Sequence, residues 1–453
     1  MKHQILYILI LFPCLLFAQS KISKLECEYM VNPTGIDMEH PRLMWKYEGD
    51  TPLKQKSYRI LVASVKEKLS SKKADIWNSR FIKSEDQLAY YSGKNLKSDQ
   101  RYYWLIETKT SDGKFTSDTA YFETGKFKTS DWEAHWITDS HDKSYEPSPR
   151  FRKEFKLAKN VISAKCYISG LGYYLLSING TKINQNHLDP GFTDYSKRVL
   201  YNTLDITNYL KEGSNAVGIE LGNGWFNEQT PTVWNFDLAP WRKRPQLLCE
   251  IRITYNDGST ETIATDNTWK TNTGPLLFDN IHVGVIYDAR LEQNGWSDIN
   301  YKDKNWSNVI LTDAPSEILE SQKMALISSE EILEPIAVQQ LNDTSLVFDM
   351  GINTAGVVEL NIEGKEGMEV KLKHGEMLRE DGSVDQQNID MHLRPRNEKE
   401  RIQTDTYILK GEGIETFSPA FTYHGFRYVQ VSSNQPISAQ NVYLKTIKLH
   451  SDV

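Results

Sequence analysis

The chain has 453 residues, a net charge of -7 and an isoelectric point near 5.9. This acidic balance excludes a protein built to bind nucleic acid, which would carry a basic face. Charged residues make up 25% of the chain and hydrophobic residues 39%, which is a globular rather than a disordered composition. The length is too great for one ordinary core and predicts two to four domains.

The N-terminus has the pattern of a secretory signal. Lys2 and His3 precede an apolar run that ends at Phe17, and Ala18-Gln19 follows. The run is too short to anchor a protein in a membrane, and no later stretch approaches the length of a membrane span. We therefore predict a signal peptide over residues 1–18 and export to the bacterial periplasm or cell exterior.

Three cysteines remain once this segment is removed, namely Cys27, Cys166 and Cys249. They are odd in number, scattered and without the spacing of metal ligands. Export would permit a disulfide, but the pattern favours buried free thiols.

Short alternating segments rich in Val, Ile, Tyr and Thr make up most of the remaining chain. Examples are SYRILVAS, RYYWLIETKT, AVGIEL, LCEIRITY and GVVELNIEG. This alternation predicts β-strands with one buried face, and helical periodicity is scarce. We predict an all-β protein built from consecutive β-sandwiches.

The first predicted domain covers residues 22–127. Its strands recur at regular intervals, and Trp45, Trp77 and Trp104 are expected to fill its core. These features are typical of an immunoglobulin-like or fibronectin type III sandwich.

Two further β-domains are predicted, over residues 132–312 and 336–449. The stretch between them, residues 313–335, is expected to be an exposed connector.

Motifs in the three domains follow one another in a recognisable order. The first domain contains NPTGIDMEHPRLMW, and the second contains GLGYYLLSINGTKI, LDPGFTDYSKRVLYNTLDITNYLKEGSNAVGIELGNGWF and VIYDARLEQNGWS. The third contains FDMGINTAGVVEL, KHGEML and FSPAFTYHGFRYVQV. Together these stretches resemble the N-terminal half of the bacterial α-L-rhamnosidases of glycoside hydrolase family 78.

The resemblance implies a jelly-roll, carbohydrate-binding-like sandwich in the second domain and a concanavalin-like sandwich in the third. In that family an (α/α)6 helical barrel follows the β-domains and carries the acidic catalytic residues. This chain stops at LHSDV, and the Asp-Cys-Pro-x-Arg motif of the family does not occur in it. We therefore expect the substrate-binding and scaffold region of an α-L-rhamnosidase, inactive by itself, with a rhamnose-containing saccharide and a missing catalytic barrel as partners.

The stretch GNGWFNEQTPTVWNFDLAPWRKRP, residues 222–245, places three indoles among polar and turn residues. A flat indole covers the apolar face of a pyranose, and amide, carboxylate and guanidinium groups satisfy its hydroxyls. The alternative is that the indoles cap a sandwich core or pack against the first domain. The predicted sugar site consists of Trp225, Trp234, Trp241, Asn223, Asn235, Asp237 and Arg242, with Arg244 as a further donor.

Some sugar-binding modules of this family use calcium to bridge the protein and sugar hydroxyls. Calcium prefers carboxylate, amide and carbonyl oxygens. The residues of this type that we consider are Asn202, Asn235 and Asp237, and no motif fixes their arrangement. No other cofactor is expected.

Two alternatives to a binding function stay open. A complete hydrolase would use carboxylates such as Asp189, Asp194 or Glu376, because paired carboxylates flank the scissile bond in most glycosidases. The sequence around the first two is also common turn chemistry, which favours a structural role. The other alternative is an interaction module without a sugar site, in which the aromatic residues serve domain packing.

Polar residues in three of the motifs are further candidates. Asp288, Arg290 and Glu292 in YDARLE have strand alternation, which predicts an ion pair on one face of a sheet. In the third domain, a histidine could line the rim of an active site or be buried and bonded to the backbone, and the second reading is favoured. The residues concerned are His374, Glu376, His424 and Arg427.

Overall fold

The computed structural model describes residues 21–49, 53–184, 186–391 and 402–451, so the predicted signal peptide lies outside the described residues. The chain divides into two compact units, residues 1–127 and 128–453. Strands dominate both units, which confirms the predicted all-β class. The described residues contain one α-helix, α1 (Gln387–Asp390), and none of their helices is both long and apolar enough to cross a membrane. Short 3-10 helices occur at Lys66–Lys68, Thr129–Asp131, Thr207–Tyr209, Phe236–Leu238 and Ala289–Leu291.

In the described part of the first unit, eight strands form two antiparallel sheets. One sheet has the order β1-β2-β5, and the other has the order β4-β3-β6-β7 with β8 also paired to β6. The residues of β6 alternate between buried and more exposed positions along its whole length, as a strand with one core face requires. The strands are β1 (Lys21–Cys27), β2 (Arg42–Glu48), β3 (Gln55–Ala63), β4 (Trp77–Asn78), β5 (Leu88–Tyr90), β6 (Arg101–Thr110), β7 (Lys114–Thr116) and β8 (Ala120–Glu123).

Tryptophans fill the core of the first unit. Trp45 and Trp104 are at most 1% exposed, which confirms the expectation for these two residues. Trp77 is half-buried and packs against the same core from its periphery.

The second unit begins with a sandwich of two sheets. One has the order β13-β12-β15-β10-β18-β21, and the other has the order β22-β9-β16-β11-β14-β23 with β17 paired to β16. Aliphatic side chains and the buried Trp269 fill the space between them. The strands of this stretch are β9 (Ile137–Thr138), β10 (Pro149–Leu157), β11 (Val161–Leu171), β12 (Tyr173–Ile178), β13 (Thr181–Lys182), β14 (Val199–Asp205), β15 (Gly213–Gly222), β16 (Gln246–Tyr255), β17 (Thr260–Ala264), β18 (Lys270–Thr273), β19 (Leu276–Asn280), β20 (Gly284–Asp288), β21 (Ser307–Asn308), β22 (Ile310–Leu311) and β23 (Leu319–Ser321).

The third sandwich is built around one long strand, β26, which pairs with four other strands of this stretch, β25, β31, β32 and β33. Its large sheet has the order β19-β20-β30-β27-β32-β26-β33-β24, and β28 pairs with β29. The strands of this stretch are β24 (Ile327–Leu333), β25 (Ala337–Asn342), β26 (Ser345–Glu363), β27 (Glu369–Gly375), β28 (Met377–Leu378), β29 (Val384–Asp385), β30 (Thr404–Ile408), β31 (Ile414–Phe417), β32 (His424–Ser433) and β33 (Val442–Ser451).

The two sandwiches of the second unit exchange strands. The β19–β20 hairpin lies before the predicted boundary at residue 312, yet β20 runs parallel to β30 in the sheet of the third sandwich. The predicted connector, residues 313–335, supplies β24 to the antiparallel edge at β33 and β23 to the parallel edge at β14. It is therefore more than an exposed linker, because its backbone completes two sheet edges.

Candidate functional site

The loop that joins β15 to β16 carries the three predicted indoles and covers the outer face of the sheet that contains β11 and β16. Trp225 and Trp241 are half-buried and pack against a buried cluster on that face, composed of Trp136, Leu171, Tyr195, Val199, Phe226 and Leu248. Nε1 of Trp241 also donates a hydrogen bond to the carbonyl of Trp225 at 3.3 Å. These two indoles hold the loop on the sheet.

Trp234 differs from the other two indoles because 51% of its surface is exposed. It stacks on the imidazole of His282, with ring centroids 5.2 Å apart and planes 22° apart. The edge of Trp225 meets the same imidazole at 5.0 Å. Burial lowers the pKa of His282 to about 4, so the imidazole is uncharged at neutral pH. Trp234 is thereby fixed in orientation while much of its indole stays accessible.

A pocket of about 180 Å³ opens beside Trp234. Its lining comes from the indole loop, the β19–β20 turn and the third sandwich, and comprises Trp234, Ile281, His282, Ile389, Ile402, Gln403 and Tyr423. Tyr423 is 42% exposed, so a second aromatic side chain stands at the pocket. Nε2 of His282 is buried and has no hydrogen-bond partner among the described residues. Aromatic and aliphatic walls with a few polar atoms are typical of small-ligand pockets.

A buried carboxyl group supports one wall of this pocket. The Asn280 side chain donates a hydrogen bond to Glu228, and its oxygen accepts one from the backbone N–H of His282 at 2.8 Å. Burial raises the pKa of Glu228 to about 7. The sequence did not single out this glutamate, because a buried acid has no distinct signature beside an exposed one.

Asn223 lies at the base of the loop rather than on its surface. It is 1% exposed, and its backbone and side-chain nitrogens donate to the two carboxylate oxygens of Asp279 at 2.7 and 2.8 Å. Burial raises the pKa of Asp279 to about 6, even though the Ser148 hydroxyl also donates to it. The position of Asn223 therefore favours a role in anchoring the loop to β19.

Of the remaining predicted polar residues of the site, Arg242 holds the loop in shape. Arg242 donates to the side chain of Asn227 and to the backbone carbonyl of Asp237, both at 3.1 Å. Asn235 is exposed and left-handed, with φ of 55°, where the short 3-10 helix begins. Arg242 and Asp237 are half-buried, so Asn235 is the exposed member of this polar set.

Arg244, the further donor that we considered, is buried away from the pocket. Its Nε and Nη2 atoms each lie 2.8 Å from a carboxylate oxygen of Asp139, which forms a two-point ion pair. The guanidinium holds the pKa of Asp139 below its usual range, although burial acts in the opposite direction. The expectation that Arg244 binds sugar hydroxyls is therefore wrong, because its guanidinium donates to Asp139 and to two backbone carbonyls in the interior.

The calcium candidates occupy different surroundings. Asn202 is buried on β14, and its side-chain oxygen accepts a hydrogen bond from the Tyr174 hydroxyl at 3.2 Å. Asn235 and Asp237 belong to the indole loop. Calcium at these residues stays a prediction.

The carboxylates of the hydrolase alternative are also dispersed. Asp189 is buried with a pKa raised by burial to about 6, and Gln322 donates to it at 3.3 Å. Asp194 accepts from the backbone and hydroxyl of Ser196, which is turn chemistry. Glu376 is exposed and accepts from two asparagines of the third sandwich. None of the three lines the pocket at Trp234.

The predicted strand alternation of Asp288, Arg290 and Glu292 is wrong. Strand β20 ends at Asp288, which accepts from the Arg290 backbone N–H and so caps the following 3-10 turn. The Asp288 carboxylate and the Arg290 guanidinium form the expected ion pair at 2.7 Å, but Glu292 pairs with Lys410 at 2.8 Å instead. Aspartate is a favoured N-cap residue, and that preference could have indicated the turn.

Two of the four polar candidates in the third sandwich are internal. His374 and His424 are fully buried, and Nδ1 of His374 lies 3.0 Å from the backbone carbonyl of Gln403, which confirms the buried reading for that histidine. His424 instead lies 3.1 Å from the buried carboxylate of Asp405, which the sequence did not indicate. Arg427 forms a two-point ion pair with Asp349 at 2.8 and 2.9 Å.

The three cysteines of the described residues are free and buried, as the pattern favoured. The sulfurs of Cys166 and Cys249 lie 3.6 Å apart between β11 and β16, and burial raises the pKa of the Cys27 thiol.

Family models match the chain in the order that the motifs predicted. The Rha78A-like N-terminal immunoglobulin domain matches residues 22–128, and the alpha-L-rhamnosidase N-terminal domain matches residues 159–331. The bacterial alpha-L-rhamnosidase concanavalin-like domain matches residues 339–450.

Curated relatives agree with these domain matches. An alpha-L-rhamnosidase of Formosa agariphila is 34% identical over 431 residues, which cover 88% of this chain and 44% of the relative. An alpha-L-rhamnosidase of Alteromonas sp. strain LOR is 30% identical over 446 residues, which cover 94% of this chain and 47% of the relative. The chain thus spans about half the length of the curated relatives it matches.

Solved structures share the architecture. The alpha-L-rhamnosidase from Dictyoglumus thermophilum superposes with a TM-score of 0.86 at 32% identity, covering 96% of this chain and 49% of that one. An alpha-L-rhamnosidase of Streptomyces avermitilis complexed with L-rhamnose shares the fold with a TM-score of 0.87 at 23% identity, covering 96% and 57% of the two chains. The protein described here belongs to the bacterial α-L-rhamnosidase family and carries its N-terminal immunoglobulin-like, rhamnosidase N-terminal and concanavalin-like β-domains.

Proposed function

We propose that the second unit binds a rhamnose-containing saccharide at the pocket beside Trp234 and acts as the substrate-binding and scaffold region of an α-L-rhamnosidase. The observation that supports this most strongly is an exposed indole, held in a fixed orientation by His282, at the mouth of a pocket with aliphatic walls. We assign no bond cleavage to the described residues. That step would belong to a catalytic barrel for which these sandwiches form the scaffold.

The chemistry of the pocket suits a deoxysugar. The indole of Trp234 would cover the apolar face of the pyranose, and the isoleucines would contact the methyl group that replaces a hydroxymethyl group in rhamnose. Nε2 of His282 is buried and has no partner among the described residues, so a sugar hydroxyl would reach it only after a shift of the pocket lining.

The relatives support the class of ligand. Proteins similar to this chain over most of its length are named alpha-L-rhamnosidases, and the Streptomyces avermitilis structure contains L-rhamnose. The N-terminal sequence, with its signal-like pattern, supports export. We therefore place the protein outside the cytoplasm, where rhamnose-containing polysaccharides are degraded.

Calorimetric titration of the full chain with L-rhamnose tests the site. Because a stacked aromatic pair contributes about 1 kcal/mol, we expect Trp234→Ala to weaken binding by roughly five- to tenfold. Trp234→Phe keeps a flat ring and should stay within about twofold of the wild type. If Trp234→Ala binds as well as the wild type, the sugar binds elsewhere and the proposed site is wrong.

L-Mannose supplies a matched ligand, because it differs from L-rhamnose only by a hydroxyl on C6. The isoleucine walls should make L-mannose the weaker ligand by severalfold. Equal affinities would remove the argument for a methyl contact.

An aryl α-L-rhamnoside tests the other part of the proposal, since steady hydrolysis by this chain would show that it carries catalytic residues of its own.

A further inference from the structure

Three buried polar residues meet inside the large sheet of the third sandwich, apart from the proposed sugar site. His374 lies on β27, Asp405 on β30 and His424 on β32, and β27 is hydrogen-bonded to both of the other strands. All three side chains have an exposed fraction of 0%. The register of three neighbouring strands therefore places two imidazoles and one carboxylate together without solvent contact.

The hydrogen bonds around the cluster determine which atoms point inward. Nδ1 of His374 lies 3.0 Å from the Gln403 carbonyl, which can only accept, so Nδ1 carries the proton and Nε2 carries the lone pair. Oδ1 of Asp405 accepts from the backbone N–H of Val285 at 3.0 Å. Nε2 of His374 and Oδ2 of Asp405 thus face each other at 4.0 Å, and the same Oδ2 also lies 3.1 Å from Nε2 of His424.

Two hydrogen-bond acceptors, Nε2 of His374 and Oδ2 of Asp405, therefore face each other in the protein interior. Nε2 of His374 has no hydrogen-bond partner among the described residues, so its lone pair is an unsatisfied group of the cluster. A buried lone pair beside a carboxylate is unfavourable unless an electrophile lies between them. The ligand atoms of the three side chains all lie within 4.8 Å of one another, which is close enough for one ion to contact all three.

We propose that His374, Asp405 and His424 bind a divalent transition-metal ion of the zinc type, through Nε2, Oδ2 and Nε2 respectively. Bonds of about 2.0–2.2 Å place the ligands of a tetrahedral ion roughly 3.3 Å apart. The distance from Oδ2 of Asp405 is 3.1 Å to the ring of His424 and 4.0 Å to the ring of His374. His374 therefore has to move roughly 0.7 Å closer to Asp405, and any wider spacing among the three ligand atoms, up to 4.8 Å, has to close as well through side-chain rotation.

The ligand set also selects the ion. Two imidazole nitrogens and one carboxylate suit zinc, cobalt or nickel, whereas calcium prefers a larger set of oxygens. The Gln403 carbonyl and the Val285 N–H would orient the ligands from behind, as supporting groups commonly do at metal sites. Because the cluster is closed to solvent, the ion would tie three strands together and would not contact a substrate.

Metal uptake by the full chain tests the site. Protein treated with a chelator would be warmed with Zn²⁺ or Co²⁺, freed of excess ion and analysed by elemental mass spectrometry. We expect about one equivalent to be retained per chain and the unfolding temperature to rise with Zn²⁺. The Co²⁺ form should show the visible absorption of a low-symmetry site with nitrogen ligands.

Variants locate the bound ion. His374→Gln and Asp405→Asn keep the approximate size of each side chain and should weaken metal binding at least tenfold. His450→Gln removes a partly exposed surface histidine and should leave the uptake unchanged. Retention of a full equivalent by both cluster variants would place the ion elsewhere and overturn the proposal. If those variants fail to fold, the wild-type protein still decides the matter, because its failure to retain Zn²⁺ or Co²⁺ also overturns it.

Discussion

Glu228 offers a sharp test of how burial shapes the pocket wall. Its carboxyl group is 1% exposed, and burial raises its pKa from 4.5 to about 7. Below pH 4.5 the group is protonated in both the folded and the unfolded chain. Between pH 4.5 and 7 the unfolded chain releases this proton while the folded chain keeps it, so the free energy of unfolding falls as the pH rises. Above pH 7 this loss in the free energy of unfolding is complete.

Replacing Glu228 with glutamine removes this titration and keeps the oxygen that accepts from Asn280. Each tenfold change in proton affinity corresponds to about 1.4 kcal/mol, so the shift from 4.5 to about 7 corresponds to about 3 kcal/mol. We expect the stability of Glu228→Gln relative to the wild type to increase by about that amount between pH 4.5 and pH 8. Urea denaturation followed by tryptophan fluorescence at several pH values measures this difference.

Glu317→Gln is the matched control, because Glu317 is an exposed glutamate of the same unit. Comparing the two variants separates the effect of burial at Glu228 from the general effect of removing one carboxylate from this unit. The reasoning is refuted if the free energies of unfolding of Glu228→Gln and the wild type differ by a constant amount from pH 4.5 to pH 8. A constant difference would mean that the buried carboxyl group ionises as readily as one in water.

Three further predictions concern buried contacts. Cys166 and Cys249 are buried thiols, so iodoacetamide should modify them only after unfolding in urea. Mass spectrometry measures the modification, and alkylation of either thiol in the native protein would contradict this prediction. Arg244→Met leaves the buried carboxylate of Asp139 without its two-point partner and should lower the free energy of unfolding by about 3–5 kcal/mol in urea denaturation; an unchanged value would contradict the importance of this ion pair. Gly222→Ala places a methyl group 2.5 Å from a phenylalanine ring of the third sandwich, so we expect a loss of about 1–3 kcal/mol by the same measurement, and wild-type stability would show that the ring moves freely.

The strand content of the fold could be predicted because alternation is a local property. RYYWLIETKT alternates in the sequence and alternates in burial over every residue of β6. The polar strand β24 could not be found in this way, since its partner β33 lies more than a hundred residues away and the pairing is made by the backbone. All seven residues of β24 are partly or fully exposed, so the strand has no buried face that could produce an alternating pattern.

The sequence located the indole loop but could not rank its members. Trp225 and Trp234 occur in similar polar surroundings along the chain, yet only Trp234 is mostly exposed. The difference arises from distant residues such as Leu171 and Tyr195, which form the surface that Trp225 packs against. Glu228 likewise becomes distinctive only when folding removes it from water.

The exchange of strands also determines where this protein can be cut. A fragment that starts at residue 336 would lose β19, β20 and β24. Strands β30 and β33 would then have unpaired backbone N–H and C=O groups at two edges of the sheet. Unpaired edge strands form backbone hydrogen bonds with strands of other molecules. The fragment should therefore form insoluble aggregates even though its own hydrophobic core is intact. Gene recombination that separates the two sandwiches would expose the same edges. We therefore expect the two sandwiches to be inherited together as one unit.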